Sequence, residues 1–187
     1  MVDIEPLAFL LRGKKDIVMA EIGMFKGQST QLILDNFDVK KYIAIDPFEN
    51  YDEYHEESIE PHLSEDLYSE MLKKFSEYPN IYIKKDYAHN VVNNIKDQSL
   101  DVCYIDGNHA YKYVLQDIID WFPKIKEGGI LMGDDIVVKD VRKALHAYFG
   151  DLTYDLWMGK RGWFVMKENM FGNKNWYGER YNWCPKE

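Results

Sequence analysis

Short apolar runs alternate with stretches of helical spacing along this chain, and most of the runs end in glycine or an acid. Asp16-Ile17-Val18-Met19-Ala20-Glu21-Ile22 leads into Gly23, and Tyr42-Ile43-Ala44-Ile45 ends in Asp46. Residues 100–105 lead into Asp106-Gly107, and residues 129–132 into Gly133-Asp134-Asp135. Ile81-Tyr82-Ile83 is a shorter run of the same kind. Runs of this length with few polar residues suit strands covered on both faces. Helical spacing fills the gaps at 29–37, 67–78, 88–95, 111–122 and 138–149. Such alternation predicts right-handed crossovers and an α/β fold, a mostly parallel sheet with helices on both faces. After Gly150 the pattern changes. Residues 153–158 and 162–167 read as two strands joined by Gly159-Lys160-Arg161, a C-terminal antiparallel hairpin on the sheet edge.

A chain of 187 residues suits one domain, 1–187, with a short N-terminal segment over 1–15. Two stretches stand outside the alternation. Residues 49–66 are acidic, aromatic and poorly periodic; they follow the second strand and read as a candidate lid at the ligand edge. Residues 170–187 form a tail with Phe171, Trp176, Tyr177, Tyr181 and Trp183 among Gly and Asn. This tail is suited to packing on the body, lining a pocket or joining a homodimer interface. With 23 Lys+Arg against 32 Asp+Glu, the net charge of −9 speaks against nucleic acid as the main partner. The apolar runs are strand-length, so neither a secretory leader nor a membrane span is expected, and a cytoplasmic location is. Cys103 reads as a small buried hydrophobe and Cys184 as part of the tail.

In an open parallel sheet, ligands bind beyond the carboxyl ends of the strands, where the strand order reverses. The loop Glu21-Ile22-Gly23-Met24-Phe25-Lys26-Gly27-Gln28-Ser29 follows the first strand and opens a helix, whose free N–H groups can take an anion. Its spacing is Glu-x-Gly-x-x-x-Gly-x-Ser, not the tight Gly-x-Gly-x-x-Gly that faces a pyrophosphate. That looser loop suits a ligand with an amino-acid head, its carboxylate on the amides and its ammonium on Glu21. Asp46, roughly 20 residues on, is where an acid accepts ribose hydroxyls. Asp86 can reach an adenine or a hydroxyl. The plain alternatives are a simple turn at the glycines and a solvated strand-end acid at Asp46. Asp106, Asp134 and Asp135 offer hard oxygens suited to Mg²⁺, Mn²⁺ or Ca²⁺, although Asp134 or Asp135 also suits capping the helix near Val138. His109 and Asp106 are candidate bases, and a histidine at a helix start also serves as a hydrogen-bonded structural group. Tyr111 reads as packing, and Asp117 as a solvated or helix-pairing acid.

Residues 20–29 resemble the first motif of class I S-adenosylmethionine-dependent methyltransferases. Tyr104-Ile105-Asp106-Gly107-Asn108-His109-Ala110-Tyr111, residues 121–130 and Gly133-Asp134-Asp135 resemble the branch with "IDG-x-H-x-Y … GG-x-x-x-x-DD", which includes small-molecule O-methyltransferases related to the macrocin and catechol enzymes. The likeness covers about residues 16–167. It implies a Rossmann-like, seven-stranded sheet whose last strand is antiparallel. S-adenosylmethionine is the cofactor it implies, with Glu21, Gly23, Gly27, Ser29, Asp46, Asp86 and Asp106 facing it. It further implies one cation such as Mg²⁺ on Asp106, Asp134 and Asp135, and methyl transfer to a small hydroxylated substrate, for example a sugar, phenol or natural product. The chain departs from the branch in the short segment before the first strand, where relatives often carry extra helices over the substrate. A non-catalytic module that holds a partner through the aromatic tail is the competing reading, which the intact glycine loop and acids oppose. A nicotinamide-dependent oxidoreductase is opposed by the missing Gly-x-Gly-x-x-Gly.

Overall fold

The structure, a computed structural model, describes residues 5–49, 66–150, 155–156 and 162–167. Seven strands form one sheet: β1 (Ile17–Ile22), β2 (Val39–Asp46), β3 (Ile81–Lys85), β4 (Leu100–Ile105), β5 (Ile125–Gly133), β6 (Asp155–Leu156) and β7 (Trp163–Met166). Their order is β3-β2-β1-β4-β5-β7-β6. The first five run parallel, and β7 runs antiparallel to both β5 and β6. The expected α/β sheet with its C-terminal antiparallel pair is therefore present, with β6 described over Asp155–Leu156. The strand order reverses between β1 and β4, so the crevice for a ligand opens beyond Ile22 and Ile105.

Helices cover both faces because the parallel strands are apolar on both. Against one face pack α1 (Glu5–Leu10), α2 (Gln28–Asn36) and α3 (Leu67–Lys74), through Leu7, Ile33, Leu67 and Met71 onto Ile17, Met19, Tyr42 and Val102. Against the other pack α4 (Ala88–Val91), α5 (Tyr111–Trp121) and α6 (Lys139–Phe149), through Val91, Val114, Ile118, Trp121, Ala144 and Leu145 onto Ala20, Ile43, Cys103 and Leu131. Each large aliphatic buried this way contributes about 1.5–3 kcal/mol. The 1–15 segment is more than a lead-in: Leu7 and Leu11, one helical turn apart, are both buried in the α2-side core. Cys103 is buried, as its apolar setting predicts. No helix among the described residues is long and apolar enough to cross a membrane. Most of the candidate lid (50–65) and the whole aromatic tail lie outside the described residues.

Candidate functional site

Backbone contacts at the reversal point bring the glycine loop and Asp106 together. The Asp106 N–H donates to Ile22 O at 2.8 Å, and the Gly23 N–H donates to Ile45 O at 2.9 Å. Gly23 has φ +90°, and a Cβ there would lie 2.0 Å from the Asp106 carbonyl oxygen. Only glycine fits this approach. Gly27 takes a left-handed conformation as the N-cap of α2 and, having no side chain, brings no capping bond to the amides of the first turn. Lys74 Nζ, from the end of α3, donates to the carbonyls of Lys26 and Gly27 at 2.9 and 3.2 Å and ties the loop from behind.

The acids of this edge differ in what they touch. Glu21 is fully buried on the α2-facing side of β1, and its carboxyl accepts from Ser29 Oγ, Thr30 Oγ1 and, at 2.9 Å, Tyr42 OH. Burial lifts its pKa to about 7 against the pull of those three hydroxyls, with the charge of Asp106 adding to the rise. Asp46 accepts the Phe25 N–H at 2.8 Å on Oδ2 and the Phe48 N–H at 2.6 Å on Oδ1, so it ties the glycine loop to the end of β2. Its pKa is raised by burial, with the two N–H bonds opposing. Asp86 is exposed and accepts from Tyr87 N–H and Asn90 Nδ2, both at 2.8 Å, which hold its pKa down. Its own N–H reaches the Asp46 carbonyl at 3.2 Å, so the two acids follow one another along the sheet edge.

Across the crevice, His109 Nε2 lies 3.7 Å from Asp106 Oδ1 and 3.3 Å from Asp135 Oδ2. One donor atom from each of Asp106, His109 and Asp135 lies within 4.8 Å of the other two. The grouping differs from the Asp106/Asp134/Asp135 set expected from sequence, because His109 occupies the third position. Asp134 turns its Oδ1 to the Asp135 N–H at 2.8 Å, and its carbonyl accepts Trp163 Nε1 at 3.0 Å. Asp135 has φ 58°, a left-handed residue at the turn where its carboxylate meets His109. Asp106 is raised in pKa, first by burial and then by the charges of Asp134 and Asp135, with His109 opposing. Tyr104 OH donates to Asp106 Oδ2 at 3.3 Å. Tyr111 packs against the core beneath Lys143, and its N–H donates to Asp140. Thr30, Tyr42 and Tyr104 are the site hydroxyls that sequence reasoning did not single out. The signal for the first two was the strand alternation, which puts Glu21 on the same buried face as Ile17 and Met19 and so demands polar partners.

The residues present suit both groups that the sequence suggests. The uncapped start of α2 beside a glycine-lined backbone suits the carboxylate of an amino-acid head. Two carboxylates and an imidazole suit a divalent cation, and the nitrogen donor widens the choice from Mg²⁺ toward Mn²⁺ and its neighbours.

A family model described as a methyltransferase domain matches residues 20–136. Among curated proteins, the uncharacterised protein R132 of Acanthamoeba polyphaga mimivirus is 28% identical over 126 residues, which cover 65% of this chain and 52% of that protein. The chain thus spans about half the length of that relative. The uncharacterised protein y4gI of Sinorhizobium fredii matches at 23% identity over 91 residues, 48% of this chain and 10% of that one. Among solved structures, a Staphylococcus aureus protein provisionally assigned as a caffeoyl-CoA O-methyltransferase is similar at TM-score 0.63 and 17% identity, covering 89% of this chain and 85% of that one. The O-methyltransferase NovP gives 0.61 and 14%, covering 80% and 71%. An rRNA methylase from Streptococcus thermophilus gives 0.57 and 15%, covering 88% and 96%. At these identities the likeness to solved structures carries the fold.

Proposed function

The chain belongs to the methyltransferase domain family and has its Rossmann-like fold, and from that premise we propose that it moves a methyl group from S-adenosylmethionine to a hydroxyl of a small molecule. The observation that carries the finer reading is the Asp106–His109–Asp135 group, joined through the Asp106 backbone to the glycine loop. Gly23, Gly27 and the first turn of α2 would hold the amino-acid end of the cofactor, with Asp46 and Asp86 toward its ribose and adenine. Asp106, His109 and Asp135 would hold the cation. Bound there, S-adenosylmethionine supplies an electrophilic methyl on a sulfonium, and a divalent cation lowers the pKa of a hydroxyl that it coordinates.

His109 and Asp106 are the groups able to take the hydroxyl proton. Where His109 acts as the base and does not ligate the cation, Asp106 and Asp135, which flank its Nε2, would stabilise the imidazolium. The raised pKa of Asp106 makes it a better proton acceptor than a solvated carboxylate. The net charge of −9 favours a small molecule over a nucleic acid as substrate.

Isothermal titration tests the premise, since a chain that binds neither S-adenosylmethionine nor S-adenosylhomocysteine cannot work this way. The two uses of His109 separate under substitution. As a base, His109→Ala keeps its metal, loses rate and recovers part of it in added imidazole. As a ligand, the same variant loses the metal. Full activity in excess chelator would remove the cation from the scheme.

A further inference from the structure

We infer that Glu21 is a positioning residue, which sets the start of α2 through its hydroxyl partners and never touches the cofactor. The inference rests on the reading that the cofactor's amino-acid end lies on the glycine loop. It departs from the direct pairing of Glu21 with the ammonium that the loop suggests at first sight.

Three observations carry it. First, Glu21 has no exposed surface, so a ligand in the crevice has no path to its oxygens. Second, both oxygens are already engaged: Oε1 accepts from Ser29, and Oε2 accepts from Thr30 and Tyr42. Third, the partners come from different elements. Ser29 and Thr30 lie in the first turn of α2, Tyr42 lies on β2, and Glu21 lies on β1. The carboxyl therefore braces the helix start against two strands at once. That brace matters because the Gly27 cap adds no side-chain bond of its own and holds an unusual backbone conformation. Lys74 holds the Gly27 carbonyl from outside and Gln31 reaches Tyr78, but among the described residues Glu21 is the group that ties Ser29 and Thr30 of the first turn to the strands. The chemistry agrees. A carboxyl that burial lifts to about 7 is partly neutral near pH 7, and so offers no dependable charge to an ammonium.

Calorimetry with two ligands tests this. One is S-adenosylhomocysteine; the other is its analogue with the α-amino group replaced by hydrogen and the carboxylate kept. Glu21→Gln is expected to weaken both by the same factor, about tenfold, because the misplaced amides serve both carboxylates. Tyr42→Phe, which keeps its ring in the core, is expected to weaken both equally and by less. A loss confined to the ligand with the amino group would mean direct contact and overturn the inference. So would a Tyr42→Phe protein that melts lower but binds both ligands as before, since the network would then serve stability alone. Wild-type protein that binds neither ligand overturns the cofactor reading, and this inference with it.

Discussion

Gly23 and Gly107 sit within a few ångströms of each other and tolerate change very differently. A Cβ on Gly23 would meet the Asp106 carbonyl at 2.0 Å from a backbone at φ +90°, whereas one on Gly107 would meet Ile22 at an ordinary 3.4 Å. Gly23→Ala is expected to cost about 3 kcal/mol or more, and Gly107→Ala under ~1 kcal/mol, read from chemical denaturation midpoints. The metal group permits an equally sharp residue-level comparison. Asp135→Asn and His109→Ala should weaken Mn²⁺ binding by at least ~10-fold, the size of loss expected even for an outer-shell partner. Asp134→Asn should weaken it less, because the Asp134 carboxylate faces the Asp135 amide. Equal losses at Asp134 and Asp135 would favour the three-aspartate set over the group with His109. That set was the natural sequence reading, since adjacent acids after a strand are indistinguishable until the backbone at Asp135 is known. His109 was legible as a reactive group but not as a neighbour of Asp135, which lies 26 positions further on and meets it only through the β4–β5 pairing.

At the scale of single elements, α5 carries an acid whose setting its helical spacing concealed. Val114, Ile118 and Trp121 are the buried stripe of the helix. Asp117 borders that stripe closely enough for burial to lift its pKa to about 7, with Asp120 adding to the rise. Its side chain is partly buried, where its sequence position suggests a solvated or helix-pairing acid. An unfolded chain releases this proton near the ordinary value of 3.8, while the folded chain holds it to about 7. Stability associated with Asp117 is thus complete below pH ~4 and declines as pH rises toward 7, beyond which the loss is constant. Asp117→Asn should flatten this part of the melting-temperature profile and raise the melting temperature at pH 8 but not at pH 4. A profile with unchanged slope would place Asp117 in water. The strands show a similar mixture of legible and hidden. β1 and β4 appear where the apolar runs predict them. β5 begins at Ile125, ahead of the expected Gly129, because Ile125 pairs with Leu100 while Ile130 pairs with Val102. The polar residues between them bulge over Asp101, which accepts from Lys126 Nζ and Val18 N–H. A period-based reading cannot carry a strand across such a bulge.

For the molecule as a whole, alternation of strand and helix was enough to predict a parallel sheet with an antiparallel close, since few arrangements bury every run. It did not predict α1, because Leu7 and Leu11, the latter just past its end, give too short a pattern to stand above chance. The sheet order places β1 and β4 at the centre, with β2 and β5 outside them and β3 at an edge, paired on one side with β2. Backbone amides of β1 and β4 should therefore exchange slowest with deuterated solvent, near the rate set by global unfolding, and those of β3 faster by about tenfold or more. Peptide-resolved mass spectrometry reads this directly, and slow exchange in β3 would point to a covered edge. Between the central strands runs the seam where the Ile22 carbonyl holds the Asp106 amide and Gly23 lies flat on the Asp106 carbonyl. Because main chain meets main chain there, the spacing between the two halves of the crevice is set by backbone hydrogen bonding and van der Waals contact and not by rotamers. Under the proposed methyl transfer, the distance across the crevice is then fixed by the backbone before either reactant arrives.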